Sequence, residues 1–217
     1  MMLGVLAARP PSSGTGPGTT LATLDFMNEV YVVNGVTLTA ADVIDKPERV
    51  GAGGLEILDN DVGGVVSAIG DLLTEFLLVD WTIVIEWEEV ANVDGSYLLW
   101  MQETVDFHSI SIIRANAFQS NPMQAGDSST ISRNVDNTGP FTTGVHKVAV
   151  TRTNDRISIS TDGSAVDSNT TPNTTLNVLT TASFGGDPTD QSYNGCFIRT
   201  VTLTAPVDDS LLPGLSA

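Results

Sequence analysis

The sequence predicts an all-β protein: an antiparallel β-sandwich of jelly-roll type with one or two short helices and an extended N-terminal arm. Three observations carry this. Short apolar-polar alternations recur along the chain, Asn-Gly and Asp-Gly pairs sit between them, and no alternation of strand and helix calls for a parallel sheet. The stretch HKVAVTRTNDRISISTDGSAV, from His146 to Val166, shows the pattern most clearly. Val148 and Val150 share one parity and Ile157 and Ile159 another, Asn154-Asp155 and Asp162-Gly163 supply the turns, and the segment reads as a three-stranded meander.

The remaining elements follow in order. LDFMNEVYVVNGVTLT places strands near 24–33 and 36–39 around the Asn34-Gly35 turn. In TAADVID, Thr39 followed by Asp42 predicts a capped short helix, ended by Pro47. GLEIL, 54–58, is a short strand. Over 65–78, apolar residues at spacings of three and four predict an amphipathic helix covering an edge or end of the sheet. In DWTIVIEWEEV, Trp81, Ile83, Ile85 and Trp87 form the core face, and Thr82, Val84, Glu86 and Glu88 the other. Asp94-Gly95 is expected to turn this strand back into SYLLWMQE as a hairpin. FHSISIIRANAFQ, 107–119, is a further strand or pair, with NPMQAGDSST and NVDNTGPFTTG as loops. After SFGGD, the pair Asn194-Gly195 opens a last strand. There Phe197 and Val201 share one parity, and Ile198, Thr200 and Thr202 the other.

Composition bounds the function. The 217 residues suit one domain, expected at 21–217, behind an arm at 1–20 rich in Pro and Gly. With 26 acidic against 9 basic residues the formal charge is −17, which repels phosphate backbones and argues against nucleic acid as a partner. The single cysteine, Cys196, excludes an internal disulfide and reads as a packed apolar group. Two histidines, His108 and His146, offer no visible partner for it and no triad, and there is no G-x-S-x-G elbow. The apolar run Met1–Ala8 lacks a basic leader and is too short to span a bilayer, so neither secretion nor membrane insertion is expected. Met1, Leu3, Val5 and Leu6 form either a frayed tail or an arm that docks on a neighbouring subunit. Asn169 and Asn173 match the glycosylation acceptor pattern, which chance supplies readily in a Thr/Asn-rich loop.

The order HKVAVTR, turn, RISISTDGSAV, SFGGD and YNGCFIRTVTLTAPVDDSLLPGL resembles the C-terminal half of the laminin G-like and concanavalin A-like lectin/glucanase jelly rolls, over roughly 145–216. DWTIVIEWEEV resembles an earlier strand of the same domains. The N-terminal segment is similar in character to bacteriophage head or tail appendage proteins. The resemblance implies a non-enzymatic, lectin-like domain of a virion. Such a protein is made in the host cytoplasm, associates with itself and with other virion subunits, and binds bacterial surface polysaccharide. Glycan would stack on Tyr97, Trp100 or Tyr193, each of which also suits core or rim. Related domains hold Ca²⁺ through loop oxygens, for which Asp136, Asp187 and Asp190 are the candidates, although loop aspartates also cap turns. No other cofactor is implied. Two alternatives stand beside this reading. One is a purely structural decoration or cement protein. The other is a polysaccharide-cleaving enzyme, which would need the paired carboxylates of the glucanase Glu-x-Asp-x-Glu strand, about 5 Å apart. Glu86-Trp87-Glu88 departs from that motif at its centre, and Val90 stands two residues beyond Glu88.

Overall fold

Strand-forming residues at period two produce two stacked antiparallel sheets in the computed structural model, which describes residues 18–57, 63–64, 80–90, 96–102, 109–114, 123–128, 132–137, 142–172, 181–185 and 196–217. The strands of the larger sheet are β1 (Thr20–Asp25), β2 (Val30–Val33), β3 (Val36–Leu38), β4 (Val50–Gly51), β5 (Gly54–Ile57), β7 (Trp81–Glu89), β12 (Gly144–Arg152), β13 (Ile157–Thr161), β14 (Asp167–Asn169) and β16 (Cys196–Thr204). The smaller sheet holds β6 (Gly63–Gly64), β8 (Ser96–Gln102), β9 (Ser109–Arg114), β10 (Met123–Ser128), β11 (Ser132–Asn137) and β15 (Thr181–Phe184). The ten-stranded sheet runs β14-β13-β12-β7-β16-β1-β2-β3, with β5 also pairing β16, and the six-stranded sheet runs β11-β10-β9-β8-β15-β6. Among the described residues the α-helices are α1 (Ala40–Val43) and α2 (Leu212–Ser216), both short.

The core lies between the sheets. Trp81, Ile83, Ile85 and Trp87 of β7 are all at 0% exposure, as their shared parity predicts, and they pack with Val148, Val150, Ile157 and Ile159. Met101, Ile110, Ile112, Ala125, Val135, Ala182 and Phe184 face them from the six-stranded sheet. Phe26 bridges the layers, edge-on to Phe184 at 6.0 Å and tilted against Tyr31 at 5.5 Å. The meander at 146–166 forms as expected. Its second turn has Asp162 and Gly163 at φ 49° and 72°, and the turn Asn34-Gly35 repeats this at 52° and 77°. Positive φ at both central residues matches the twist of the flanking strands.

Several expectations need correction. The run 24–33 is two strands, because Asp25 accepts hydrogen bonds from the backbone N of Asn28 (2.9 Å) and from its Nδ2 (2.9 Å), folding 26–29 into a turn with Glu29 at φ 53°. The helix after Thr39 ends at Val43, and Pro47 instead opens a 3₁₀ turn at Pro47–Arg49. β7 and β8 are not a hairpin: they belong to different sheets, so the chain crosses the sandwich between them. The two polar stretches read as loops contain β10 and most of β11, where Ala125 and Val135 are buried in the core. β15 does not extend the meander but lies beside β8. In β16 a register shift between Ile198 and Thr200 reverses parity, so Cys196 and Ile198 are buried together with Val201 and Leu203, and Phe197 and Val201 do not share a face. The amphipathic segment 65–78 and the Asp94-Gly95 turn lie outside the described residues.

Candidate functional site

Each sheet has one outward surface, and the two differ in what covers them. On the ten-stranded sheet the segment after β16 folds back as a strap. The backbone N of Val207 donates to Thr82 Oγ1 (3.0 Å), which meets Thr151 Oγ1 at 2.7 Å. Arg156 Nε donates to Asp209 Oδ1 (2.9 Å), and Ser158 Oγ donates to Asp209 Oδ2 (3.0 Å). At its far end Ser216 Oγ meets Ser160 Oγ at 2.9 Å and accepts from the backbone N of Gly163 (3.1 Å). Ala149, Val207 and Leu212 form a small apolar cluster under the strap, with Val84 and Val166 against it. The strap thus seals the outward side of β7, β12 and β13.

Beyond the strap this surface carries Glu86 and Glu88. Glu86 lies between two cations, with Lys147 Nζ at 3.5 Å from Oε2 and Arg199 Nε at 3.5 Å from Oε1. Glu88 stands opposite Phe197 and Val145. Trp87, which replaces the central Asp of the glucanase motif, points into the core at 0% exposure. Glu86 and Glu88 are therefore half-buried on the sheet surface, Glu86 between two cations.

His146 serves the core. Its Nδ1 meets Asp162 Oδ2 at 2.7 Å, its Nε2 meets the carbonyl oxygen of Thr142 at 2.7 Å, and its ring lies 5.4 Å from that of Trp87. Because Asp162 Oδ1 also accepts from the backbone N of Lys147 (2.9 Å), the histidine ties the Asp162-Gly163 turn to β12. Cys196 is buried and unoxidised. Among the described residues no group of three or more His, Cys, Asp or Glu side chains could hold a metal ion.

The six-stranded sheet has a different outward surface. Its pairing register sets positions in three adjacent rows. Tyr97, Ile113, Gln124 and Asp136 lie opposite one another across β8, β9, β10 and β11. The next row holds Ser183, Trp100, Ser111, Gly126 and Asn134. The third holds Thr181, Gln102, Ser109, Ser128 and Ser132. Rows two residues apart along a strand are separated by about 7 Å and neighbouring strands by about 4.8 Å, so the three rows form one continuous area. Of the row residues whose side chains are described, Trp100, Ser109, Ser111 and Asp136 are half-buried and Ser183 and Gly126 are buried, while Leu99, Met101, Ile110, Ile112 and Val135, of the opposite parity, are buried in the core.

Tyr97 and Trp100 are three residues apart, and strict alternation would put them on opposite faces. A register shift between Tyr97 and Leu99 inserts Leu98 as an extra buried residue, so that positions 97 and 100 share one parity of the pairing. Asp136, expected in a loop, sits on β11 in the same row as Tyr97. The structure thus gathers three of the predicted residues on one surface, together with serine, glutamine and asparagine positions that the sequence reading passed over. The regular Ser-x-Ser spacing of 109 and 111 was the signal available for them. Tyr193, Asp187, Asp190, Met1, Leu3, Val5 and Leu6 lie outside the described residues.

No family model matches the chain, and no curated protein matches its sequence. Solved structures do share its fold. Domain 4 of AbnA, a GH43 extracellular arabinanase from Geobacillus stearothermophilus, in complex with arabinotriose, is similar at TM-score 0.66 and 11% identity, over 93% of this chain and 100% of that one. The CBM40 of the Ruminococcus gnavus IT-sialidase, bound to α2,3-sialyllactose, is similar at TM-score 0.61 and 13% identity, over 75% and 95%. The leech intramolecular trans-sialidase matches at TM-score 0.59 and 11% identity over 74% of this chain, which spans only 26% of that enzyme. At these identities the likeness establishes the antiparallel β-sandwich.

Proposed function

We propose that the chain is a non-catalytic, lectin-like module that binds glycan along the outward surface of the six-stranded sheet. The observation that carries the reading is the bulge-driven placement of Tyr97 and Trp100 in adjacent rows of Ser, Gln, Asn and Asp positions. Sugars present apolar C–H faces ringed by hydroxyls, and a ring to stack on beside short donors and acceptors is the matching chemistry. That one similar domain was captured with arabinotriose and another with sialyllactose supports the same reading.

The test is a glycan array followed by calorimetry on Trp100→Ala. Loss of one stacking ring is expected to weaken binding by about tenfold, on the order of 1–1.5 kcal/mol. Binding that survives at full strength in a folded variant would move the site off this surface. Glu86→Gln and Glu88→Gln are expected to leave binding intact. Release of reducing ends that stops in these variants would instead establish a polysaccharide-cleaving enzyme. If Asp136, Asp187 and Asp190 hold Ca²⁺, chelator lowers both affinity and melting temperature, and unchanged values exclude that role.

The segment before β1 fits the role of an arm, Met1, Leu3, Val5 and Leu6 being its apolar tip, that holds the module on a virion or similar particle made in the host cytoplasm. Deleting residues 1–17 leaves Thr20 and β1 in place. It should abolish incorporation while preserving the melting temperature, and unchanged incorporation would remove the arm from the account. A pure decoration protein would incorporate in the same way and bind no sugar.

A further inference from the structure

We infer that the ligand of the six-stranded sheet is a neutral glycan, and that glycans bearing carboxylate or sulfate groups are rejected. The inference rests on the glycan-binding reading above and adds the chemical class of its ligand. Recognition of an acidic sugar needs a cation at the site, normally an arginine whose planar fork matches the carboxylate. The chain has only nine Lys and Arg residues, so the whole inventory can be followed.

Lys147 and Arg199 lie on the opposite sheet, both engaged with Glu86. Arg156 is held by Asp209 at the turn between β12 and β13, and Arg152 is buried at 1% exposure on β12. Lys46 caps and Arg49 ends the 3₁₀ turn that precedes β4. The two arginines of the six-stranded sheet itself, Arg114 and Arg133, stand opposite Met123 and Asp127, at positions of inward parity. Arg9 lies outside the described residues. Among the described residues, then, no basic residue occupies an outward position of the three rows, and the one carboxylate in them is that of Asp136.

The field of the whole molecule acts in the same direction. A formal charge of −17 raises the local potential against any anion approaching from solution, and only salt relieves it. A neutral oligosaccharide meets neither obstacle: its hydroxyls find Ser, Thr, Gln and Asn positions, which donate and accept equally well.

The decisive experiment titrates the full chain with ligand pairs that differ by methyl esterification of a carboxylate: the methyl ester of 3′-sialyllactose against 3′-sialyllactose, and methyl-esterified against de-esterified polygalacturonate, with arabinotriose as a third neutral probe. The neutral member of a pair is expected to bind at least about tenfold more tightly and to respond little to salt, while the weak binding of the acidic member rises with salt. Trp100→Ala weakens the neutral binding by about tenfold. Should that variant melt early, Trp100→Leu, which keeps apolar bulk without a ring, replaces it. Ser111→Arg, opposite Trp100 in register, places a cation in the middle row and should recover the acidic member selectively. An acidic member bound as tightly as the neutral one, through Trp100, overturns the inference and leaves the glycan-binding surface standing. Absence of binding to every probe, or binding indifferent to both Trp100 variants, overturns the surface and the inference together.

Discussion

Tyr31 carries a hydroxyl buried at 1% residue exposure, with no hydrogen-bond partner among the described residues. Burial, helped by the carboxylates of Glu29 and Asp25, pushes its ionisation up from 10.0 to about 12. The folded state therefore holds its proton where the unfolded chain has lost it. Tyr31 contributes to stability fully below pH 10, and that contribution is lost as pH rises through about 12. An absorbance titration should show one late tyrosine step that Tyr31→Phe removes. The same substitution is expected to be neutral or stabilising by about 1 kcal/mol in denaturant melts, since it deletes a polar atom that folding strips of water. Asp42 works in the other direction. Its carboxylate accepts from Thr39 Oγ1 (2.7 Å) and from the backbone N of Thr39 (2.8 Å), and these bonds, the side-chain one foremost, hold its ionisation below 3.8. The cap at α1 is then fully present above pH 3.8 and vanishes as pH falls through the lowered value. Asp42→Asn should lower the melting temperature at neutral pH and make no difference in strong acid.

Bulges decide what the strands present. In β16 the reversal near Arg199 lets Ile198 and Val201 both enter the core, and it frees Arg199 for Glu86 and for Met27 Sδ at 3.3 Å. Gly54 of β5 runs against this bulge at φ 110°, and a Cβ there would collide with the carbonyl oxygen of Ile198 and come within 3.1 Å of Arg199 Cα. Gly54→Ala is expected to cost well over about 1 kcal/mol, read as a shift in denaturant midpoint at constant slope, and an unchanged midpoint would mean that β5 does not seat on β16. The same feature explains what the sequence could and could not reveal. Alternation in Trp81–Trp87 and Val148–Ile159 is legible because both strands bury one regular face of large apolar side chains. β10 and β11 are not, because Met123, Ala125 and Val135 are the only apolar residues in their twelve positions and the rest are Gln, Gly, Asp, Asn, Ser and Arg, the composition of a loop. A bulge leaves no mark in the alternation, so the pairing of Tyr97 with Trp100 on one surface, and the separation of Phe197 from Val201, emerge only when neighbouring strands set the register. The sheet to which β8 belongs was equally hidden, since an Asp-Gly pair signals a reversal without saying which layer the chain enters next.

At the scale of the molecule the two sheets divide their tasks. The larger one is bound by its strap and its ion pairs, and the smaller one carries the half-buried rows proposed above as the glycan surface. Shortening the chain at residue 206 removes Val207, Asp209 and Ser216 from their partners on β7 and β13. The expected result is a lower melting temperature with glycan affinity retained, measured on the same sample. Loss of affinity alone would couple the strap to the opposite surface. β16 places a stricter demand. It follows every other strand in the chain yet sits in the middle of the larger sheet, between β7 and β1. During synthesis β1 leaves the ribosome early and its central neighbour leaves last, after a wait on the order of 10–35 s at ordinary elongation rates. Until then the apolar sides of β1 and β7 have nothing between them. The nascent chain must remain soluble through that interval on its abundance of acidic residues, and a message that stalls before Cys196 releases a polypeptide that has no way to close its larger sheet.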